Sequence, residues 1–163
     1  MWVNFEELPQ SSRIWIYQAN RALSENEQVA ISEVLKEGIF SWNAHGAPLL
    51  GSFKFENSRF LIIGLNEDQN AASGCSIDSS TKWIKQINER FNIDFFDRSL
   101  IYLENGELQV CSIFGVKKAI SEGKIKPTTT IFNNQITLLS QLEDNWKIKA
   151  DNSFYNRFFE TAI

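Results

Sequence analysis

The chain contains few of the residues from which most reactive sites are built. Its 163 residues include one histidine, two cysteines and three prolines. Two cysteines cannot form a disulfide framework, and one histidine with two distant cysteines does not supply the four ligands that structural zinc requires. We therefore predict no metal site, no bound cofactor and free thiols, with a single disulfide between the two cysteines as the alternative.

Clusters of basic residues and long apolar segments are missing as well. The formal net charge is -4 and the lysines and arginines are scattered. This argues against nucleic acid as a partner, because such affinity comes mainly from neutralised phosphates. The longest unbroken apolar runs, such as Phe60–Ile63, are far too short to cross a bilayer. The first seven residues also lack the basic and apolar regions of a signal peptide. We expect a cytoplasmic protein that binds neither nucleic acid nor membranes.

Apolar residues are abundant, at 43% of the chain, and their spacing alternates between the strand and helix periods. The β-branched and aromatic run Arg13–Tyr17 predicts a strand. Ser24 and Glu27 form a capping box that opens a helix, and apolar residues follow at helical spacing. Gly38 is expected to end the regular part of this helix early.

The next segments predict a hairpin, a second helix and a further strand. Two apolar strands are joined by a tight turn at Asn57-Ser58. A polar loop then leads to an amphipathic helix whose N-cap we assign to Ser76 or Asp78. A strand at Leu100–Leu103 completes the order β-α-β-β-α-β.

This order of elements matches the ferredoxin-like arrangement. We predict an α+β fold in which an antiparallel sheet of strand order 4-1-3-2 carries both helices on one face. Asn105-Gly106 is the strongest hairpin signal in the chain and adds one more strand. A short helix, Phe114–Glu122, ends at Gly123 and begins a small C-terminal α/β appendage. The predicted domains are a ferredoxin-like core at 1–104 and an extension packed on it at 105–163.

The predicted strand directions bring two loops to the same end of the sheet. If the first strand runs upward, the loop after the first helix and the loop before the second helix both lie at the bottom. The first loop, Trp42–Pro48, contains His45, and the second, Ala72–Asp78, contains Cys75. We therefore predict that the imidazole and the thiol lie close together on adjoining loops.

These two loops contain candidate catalytic residues. A cysteine at a helix N-terminus feels the positive end of the macrodipole, which favours the thiolate. The imidazole of His45 can take the proton of the Cys75 thiol, and Asn43 or Asp78 can orient the imidazole. The catalytic candidates are therefore Cys75, His45 and Asp78.

The same loops can hold a small anionic ligand without any reaction. Backbone amides at Ser76 and Ile77 suit a carboxylate or a phosphate, and Gly74 permits close approach. A purely structural interpretation stands beside both, because a lone cysteine often packs as a small hydrophobe. The ligand-binding candidates are Asn43, Gly46, Ser73, Gly74 and Ser76.

The segment Gly46–Ser52 has the glycine spacing of a phosphate-binding loop without its chemistry. The lysine and hydroxyl residue that must follow are missing, and the segment continues as an alternating strand instead of a helix. The sequence therefore argues against nucleotide hydrolysis.

Several segments give the chain a family resemblance. Trp42–Gly46 and Ala72–Asp78, with Thr130–Asn134 and Asn145-Trp146, resemble a family of short uncharacterised bacterial proteins, many of which carry the label "ABC transporter ATPase". The resemblance covers most of the chain and implies a bacterial protein but no activity, and the motifs do not support the label. Separately, Glu122–Phe132 is similar to the end of bacterial GYF-like modules, which implies a protein-interaction role for the C-terminal third.

Three functions of different classes follow from the sequence. The first is a binding protein whose His45 and Cys75 loops hold a small anionic ligand. The second is a thiol-dependent enzyme that uses Cys75 and His45 in acyl or thiol transfer. The third is a protein-interaction module, with a homodimer through the sheet face or edge as one form.

Overall fold

The computed structural model describes residues 1–160, which form two compact units. The first unit is Met1–Asp97 together with Thr137–Ser140, and the second is Arg98–Ile136 together with the chain from Gln141 onward. Both units contain helices and antiparallel strands, so the fold class is α+β. Residues 161–163 of the predicted C-terminal extension lie outside the described residues.

The first unit combines a three-stranded antiparallel sheet, of strand order β1-β5-β4, with two long helices and a separate short hairpin. The predicted hairpin turn at Asn57-Ser58 is confirmed, because both residues have positive φ and the flanking strands pair. The elements in chain order are β1 (Arg13–Gln18), α1 (Glu25–Phe40), β2 (Asn43–Ala44), β3 (Ala47–Pro48), β4 (Leu50–Glu56), β5 (Phe60–Asn66) and α2 (Gly74–Phe91).

The second unit contains a four-stranded antiparallel sheet and two short helices. Its hairpin turn at Asn105-Gly106 is confirmed, with φ values of 52° and 79°. A 3-10 turn at Ile113–Gly115 makes the helix that follows shorter than predicted. The elements are β6 (Leu100–Glu104), β7 (Glu107–Cys111), α3 (Val116–Ser121), β8 (Thr130–Phe132), β9 (Lys147–Lys149) and α4 (Asn156–Glu160), and the sheet order is β7-β6-β8-β9.

Helix α1 begins where the sequence predicts. The Glu27 amide donates to Ser24 Oγ at 3.2 Å and the Ser24 amide donates to the Glu27 carboxylate at 2.9 Å, which completes the capping box. The Arg21 guanidinium donates to the same carboxylate at 2.7 and 3.0 Å and lowers the pKa of Glu27 to about 2. Arg21 also donates to the carbonyl oxygen of Phe91, so it joins the start of α1 to the end of α2.

The prediction that Gly38 ends α1 early is wrong, because the helix continues to Phe40. A Cβ atom at Gly38 would lie 2.7 Å from the indole ring of Trp83 in α2. Glycine costs about 1 kcal/mol in a helix interior, but at this position it allows the Trp83 ring to lie against the helix backbone. Gly38 therefore marks a helix contact and not a helix end.

The predicted fourth strand of the ferredoxin-like sheet is observed as β6, which pairs with β7 and β8 in the second unit. Backbone amides on the free edge of β1 donate isolated hydrogen bonds instead. The Gln18 amide donates to the carbonyl oxygen of Phe95, and the Ile14 amide donates to that of Thr137. The first unit keeps the predicted order of three strands, and the four-stranded ferredoxin-like sheet is not confirmed.

The sheet of the first unit is buried on both faces. On the face that points away from α1 and α2, Ile14, Phe60 and Ile62 are at most 1% exposed, and Leu8 lies against Gly64. The sheet face on which the sequence placed a homodimer contact is therefore covered, and the homodimer itself stays a prediction. The opposite face packs against both helices through Leu61, Ile63 and Leu65 of β5, Ile31, Leu35 and Ile39 of α1, and Ile84 and Ile87 of α2.

None of the helices in residues 1–160 combines the length with the apolar character that a bilayer span requires.

Candidate functional site

His45 lies at the tip of the short hairpin formed by β2 and β3. His45 and Gly46 have φ values of 51° and 84°, so they form a two-residue turn between Ala44 and Ala47. Such turns need positive φ at both central positions, which histidine tolerates better than most residues and glycine adopts freely. The sequence predicted only a loop here. The tight turn therefore fixes the backbone position from which the exposed His45 side chain extends.

The N-terminus of α2 is capped by Ser73 and not by Ser76 or Asp78, so that prediction is wrong. The Ser76 amide donates to Ser73 Oγ at 3.2 Å, and the Ser73 amide donates to Ser76 Oγ at 2.8 Å. Ser73 has the extended conformation of an N-cap, with φ -92° and ψ 163°. The helix consequently begins at Gly74, and Cys75 lies exposed in its first turn.

The cap changes which backbone amides are available to a ligand. The sequence proposed the amides of Ser76 and Ile77, but these donate to the side chain and the carbonyl oxygen of Ser73. Within residues 1–160, no acceptor is recorded for the amides of Gly74 and Cys75. The first turn of a helix directs such amides outward, where they can bind an anion.

Two tryptophans hold the hairpin against α2, and sequence reasoning missed their role. Trp42 is 2% exposed, and its Nε1 donates to the carbonyl oxygen of Ser76 at 2.9 Å. The rings of Trp42 and Trp83 meet edge to face with centroids 5.2 Å apart. Gly38 was the sequence signal for the position of Trp83, because its missing side chain leaves room for the Trp83 ring. The bond to Ser76 ties the His45 hairpin to the turn that contains Cys75.

A pocket of about 230 Å³ lies between the hairpin and the start of α2. Four of the predicted site residues line it, namely Asn43, His45, Ser73 and Cys75. The structure thus brings the two predicted loops together. The lining that the sequence did not anticipate consists of Ser41, Trp42, Ser79 and Trp83.

The other predicted site residues do not line this pocket. Gly46 and Gly74 are exposed, and a Cβ atom at either would meet nothing within 4 Å, so neither is needed for a close approach within the chain. Ser76 is 1% exposed and its hydroxyl donates to the carbonyl oxygen of Ser73. Asp78 is exposed on α2, and no hydrogen bond between it and His45 is found among the described residues. Asn43 is therefore better placed than Asp78 to act beside the imidazole.

The electrostatic character of the pocket follows from what lines it. No aspartate, glutamate, lysine or arginine is among the lining residues. The partial positive charge at the N-terminus of α2 is therefore not opposed by a carboxylate in the pocket wall. Residues 1–160 contain no group of three or more histidine, cysteine, aspartate or glutamate side chains that could hold a metal ion.

Comparison with known proteins does not assign the chain to a family. No family model matches it, and neither a curated protein nor a solved structure matches it.

Proposed function

We propose that the pocket between the His45 hairpin and the N-terminus of α2 binds a small anionic ligand. The observation that carries this proposal is the amide of Cys75, a residue that lines the pocket. Among residues 1–160 this amide has no hydrogen-bond acceptor, and it lies at the positive end of an 18-residue helix. Helix N-termini bind phosphates and carboxylates through such amides. The imidazole of His45 lines the same pocket from the β2–β3 hairpin and can add a hydrogen-bond donor.

The volume of the pocket limits the size of this ligand. A volume of about 230 Å³ lies below the roughly 300–1,000 Å³ of pockets that hold drug-sized ligands. This suits inorganic phosphate or a short carboxylate better than a nucleotide. The segment Gly46–Ser52 agrees with this choice, because it forms a turn and two strands and does not lead into a helix.

Two of the segments on which the family resemblance rests, Trp42–Gly46 and Ala72–Asp78, supply most of the pocket lining. We propose that the chain shares this pocket with the short bacterial proteins that it resembles. A common anion site would account for the resemblance without the ATPase activity that their label suggests.

Binding of inorganic phosphate to the full chain tests the proposal by isothermal titration at constant ionic strength. Cys75→Pro should weaken binding about tenfold, or 1.4 kcal/mol. Proline removes the Cys75 amide donor and is tolerated in the first turn of a helix, where that amide has no intrahelical acceptor. Cys75→Ala is the matched control, since it removes the same side chain but keeps the amide. Equal weakening by both variants, or no phosphate binding by the wild type, would contradict the proposal.

A second function, thiol chemistry at Cys75, is favoured by one observation. Cys75 is exposed and lines the same pocket as His45. In an acyl transfer, the imidazole would take the thiol proton and the sulfur would attack a carbonyl carbon. The leaving alcohol or thiol would then receive that proton from the imidazolium.

Alkylation by iodoacetamide near neutral pH tests this second function. Cys75 should react about tenfold faster than Cys111, because burial raises the pKa of the Cys111 thiol and so lowers its thiolate fraction. His45→Asn should slow the reaction of Cys75 while preserving the positive φ of the turn. Asp78→Asn is the control and should leave the rate unchanged. If His45→Asn has no effect on Cys75, exposure alone explains its reactivity and the enzyme hypothesis fails.

A further inference from the structure

The outer face of α1 exposes two large apolar side chains. The helix buries Ile31, Leu35 and Ile39 against the sheet, whereas Val29 is 64% exposed and Phe40 is 78% exposed. An open groove of about 600 Å³ runs along this face, and Phe40 forms part of its wall. Single exposed apolar side chains are common on protein surfaces, and they indicate an interaction site only when they belong to a larger stripe whose charges also complement a partner.

Val29, Glu33, Lys36 and Phe40 form such a stripe. Their spacing of four, three and four residues is the spacing that keeps side chains on one seam of a helix in a coiled coil. The stripe is apolar at both ends and charged in the middle, with one acidic and one basic residue. Glu33 and Lys36 lie only 4.0 Å apart, but both are largely exposed, so their mutual attraction is weak.

We propose that this stripe binds the same stripe on a second copy of the chain, with the two α1 helices antiparallel. A two-fold axis midway between residues 34 and 35 places Val29 opposite Phe40 of the second copy. The same axis places Glu33 opposite Lys36 of that copy. Because a two-fold interface repeats every contact, the apolar pair and the charge pair each form twice.

Charge selects this arrangement over the parallel one. In a parallel pair, Glu33 would face Glu33 and Lys36 would face Lys36, and like charges at such short range repel. The wall of the groove has the same balance, with Glu33 and Glu37 set against Lys36 and Arg90. A surface with equal numbers of acidic and basic residues is complementary to itself when a two-fold axis brings opposite charges together. This favours a second copy of the chain as the occupant of the groove.

Sedimentation equilibrium of the full chain over a range of concentrations tests this proposal. The wild type should approach twice the 18.7 kDa of one chain at high concentration. Phe40→Glu should weaken association by about tenfold or more, because it places a carboxylate against Val29 of the second copy. The matched control is Phe114→Glu in the second unit, where Phe114 is 96% exposed, and it should associate like the wild type.

A charge exchange separates the antiparallel pairing from a general effect of surface charge. Glu33→Lys should weaken association, since it places two lysines opposite each other. Adding Lys36→Glu should restore it, because both charge pairs then form in reverse. A wild type that stays monomeric at all concentrations would overturn the proposal, as would Phe40→Glu that dimerises like the wild type. Failure of the double variant to recover would show that the stripe binds another partner or pairs in another register.

Discussion

Replacement of Trp42 by alanine should lower the free energy of unfolding by about 3–5 kcal/mol, the usual cost of truncating a buried tryptophan. Trp42 is 2% exposed and lies between Trp15, Trp83 and Gly51. Its removal leaves a cavity and also leaves the Ser76 carbonyl oxygen without the indole donor. Urea unfolding followed by far-ultraviolet circular dichroism measures this loss.

Two further variants show which part of Trp42 matters. Trp42→Phe keeps a ring but removes the hydrogen bond to Ser76, so its cost should exceed the roughly 1 kcal/mol of a hydrogen bond while staying below that of alanine. Phe114→Ala is the control for an exposed aromatic residue and should change stability by at most about 0.5 kcal/mol. If Trp42→Ala costs no more than Phe114→Ala, the hairpin does not depend on Trp42 for its position.

Alanine substitutions at two helical glycines should change stability in opposite directions. Gly38→Ala should destabilise the protein by up to about 2 kcal/mol. The new Cβ would lie 2.7 Å from the Trp83 ring and force it to move, at a strain of about 1–3 kcal/mol. This strain is opposed by the gain of about 1 kcal/mol that alanine normally brings to a helix interior. At Gly74 a Cβ meets nothing within 4 Å, so Gly74→Ala should stabilise by about 0.5 kcal/mol through the unfolded chain.

The comparison of the two glycines has an internal check. Shrinking the opposing side chain by Trp83→Leu should remove most of the penalty of Gly38→Ala and leave the effect of Gly74→Ala unchanged. The two changes at Gly38 and Trp83 should therefore be non-additive, as expected for residues in contact. A stabilising Gly38→Ala in the wild-type background would show that the ring yields easily and that the helix contact is loose.

The sequence determined those features of the fold that depend on neighbouring residues. The capping box of Ser24 and Glu27 and the turns at Asn57-Ser58 and Asn105-Gly106 are found where the sequence predicts them. Each depends on hydrogen bonds or φ angles within four residues, so a single segment contains all the necessary information.

The candidate site could be predicted in part for a similar reason. The hairpin of β4 and β5 sets the direction of the chain, and this direction alone brings the loops of His45 and Cys75 to one end. The cap of α2 could not be predicted so well, because Ser73 and Ser76 are both good capping residues. Burial decides between them, since Ser76 is 1% exposed and its carbonyl oxygen accepts a hydrogen bond from the Trp42 indole.

Only the tertiary structure decided the partner of β6 and the role of Gly38. The sequence predicted a strand at Leu100–Leu103 in a hairpin with the next strand, and β6 does pair with β7, but its other neighbour is β8 instead of β1. Gly38 has the same local signature whether it ends a helix or accepts a ring from another one. In both cases the outcome depends on groups far away in the chain, because edge pairing and close packing are chosen by the surfaces that meet when the chain folds.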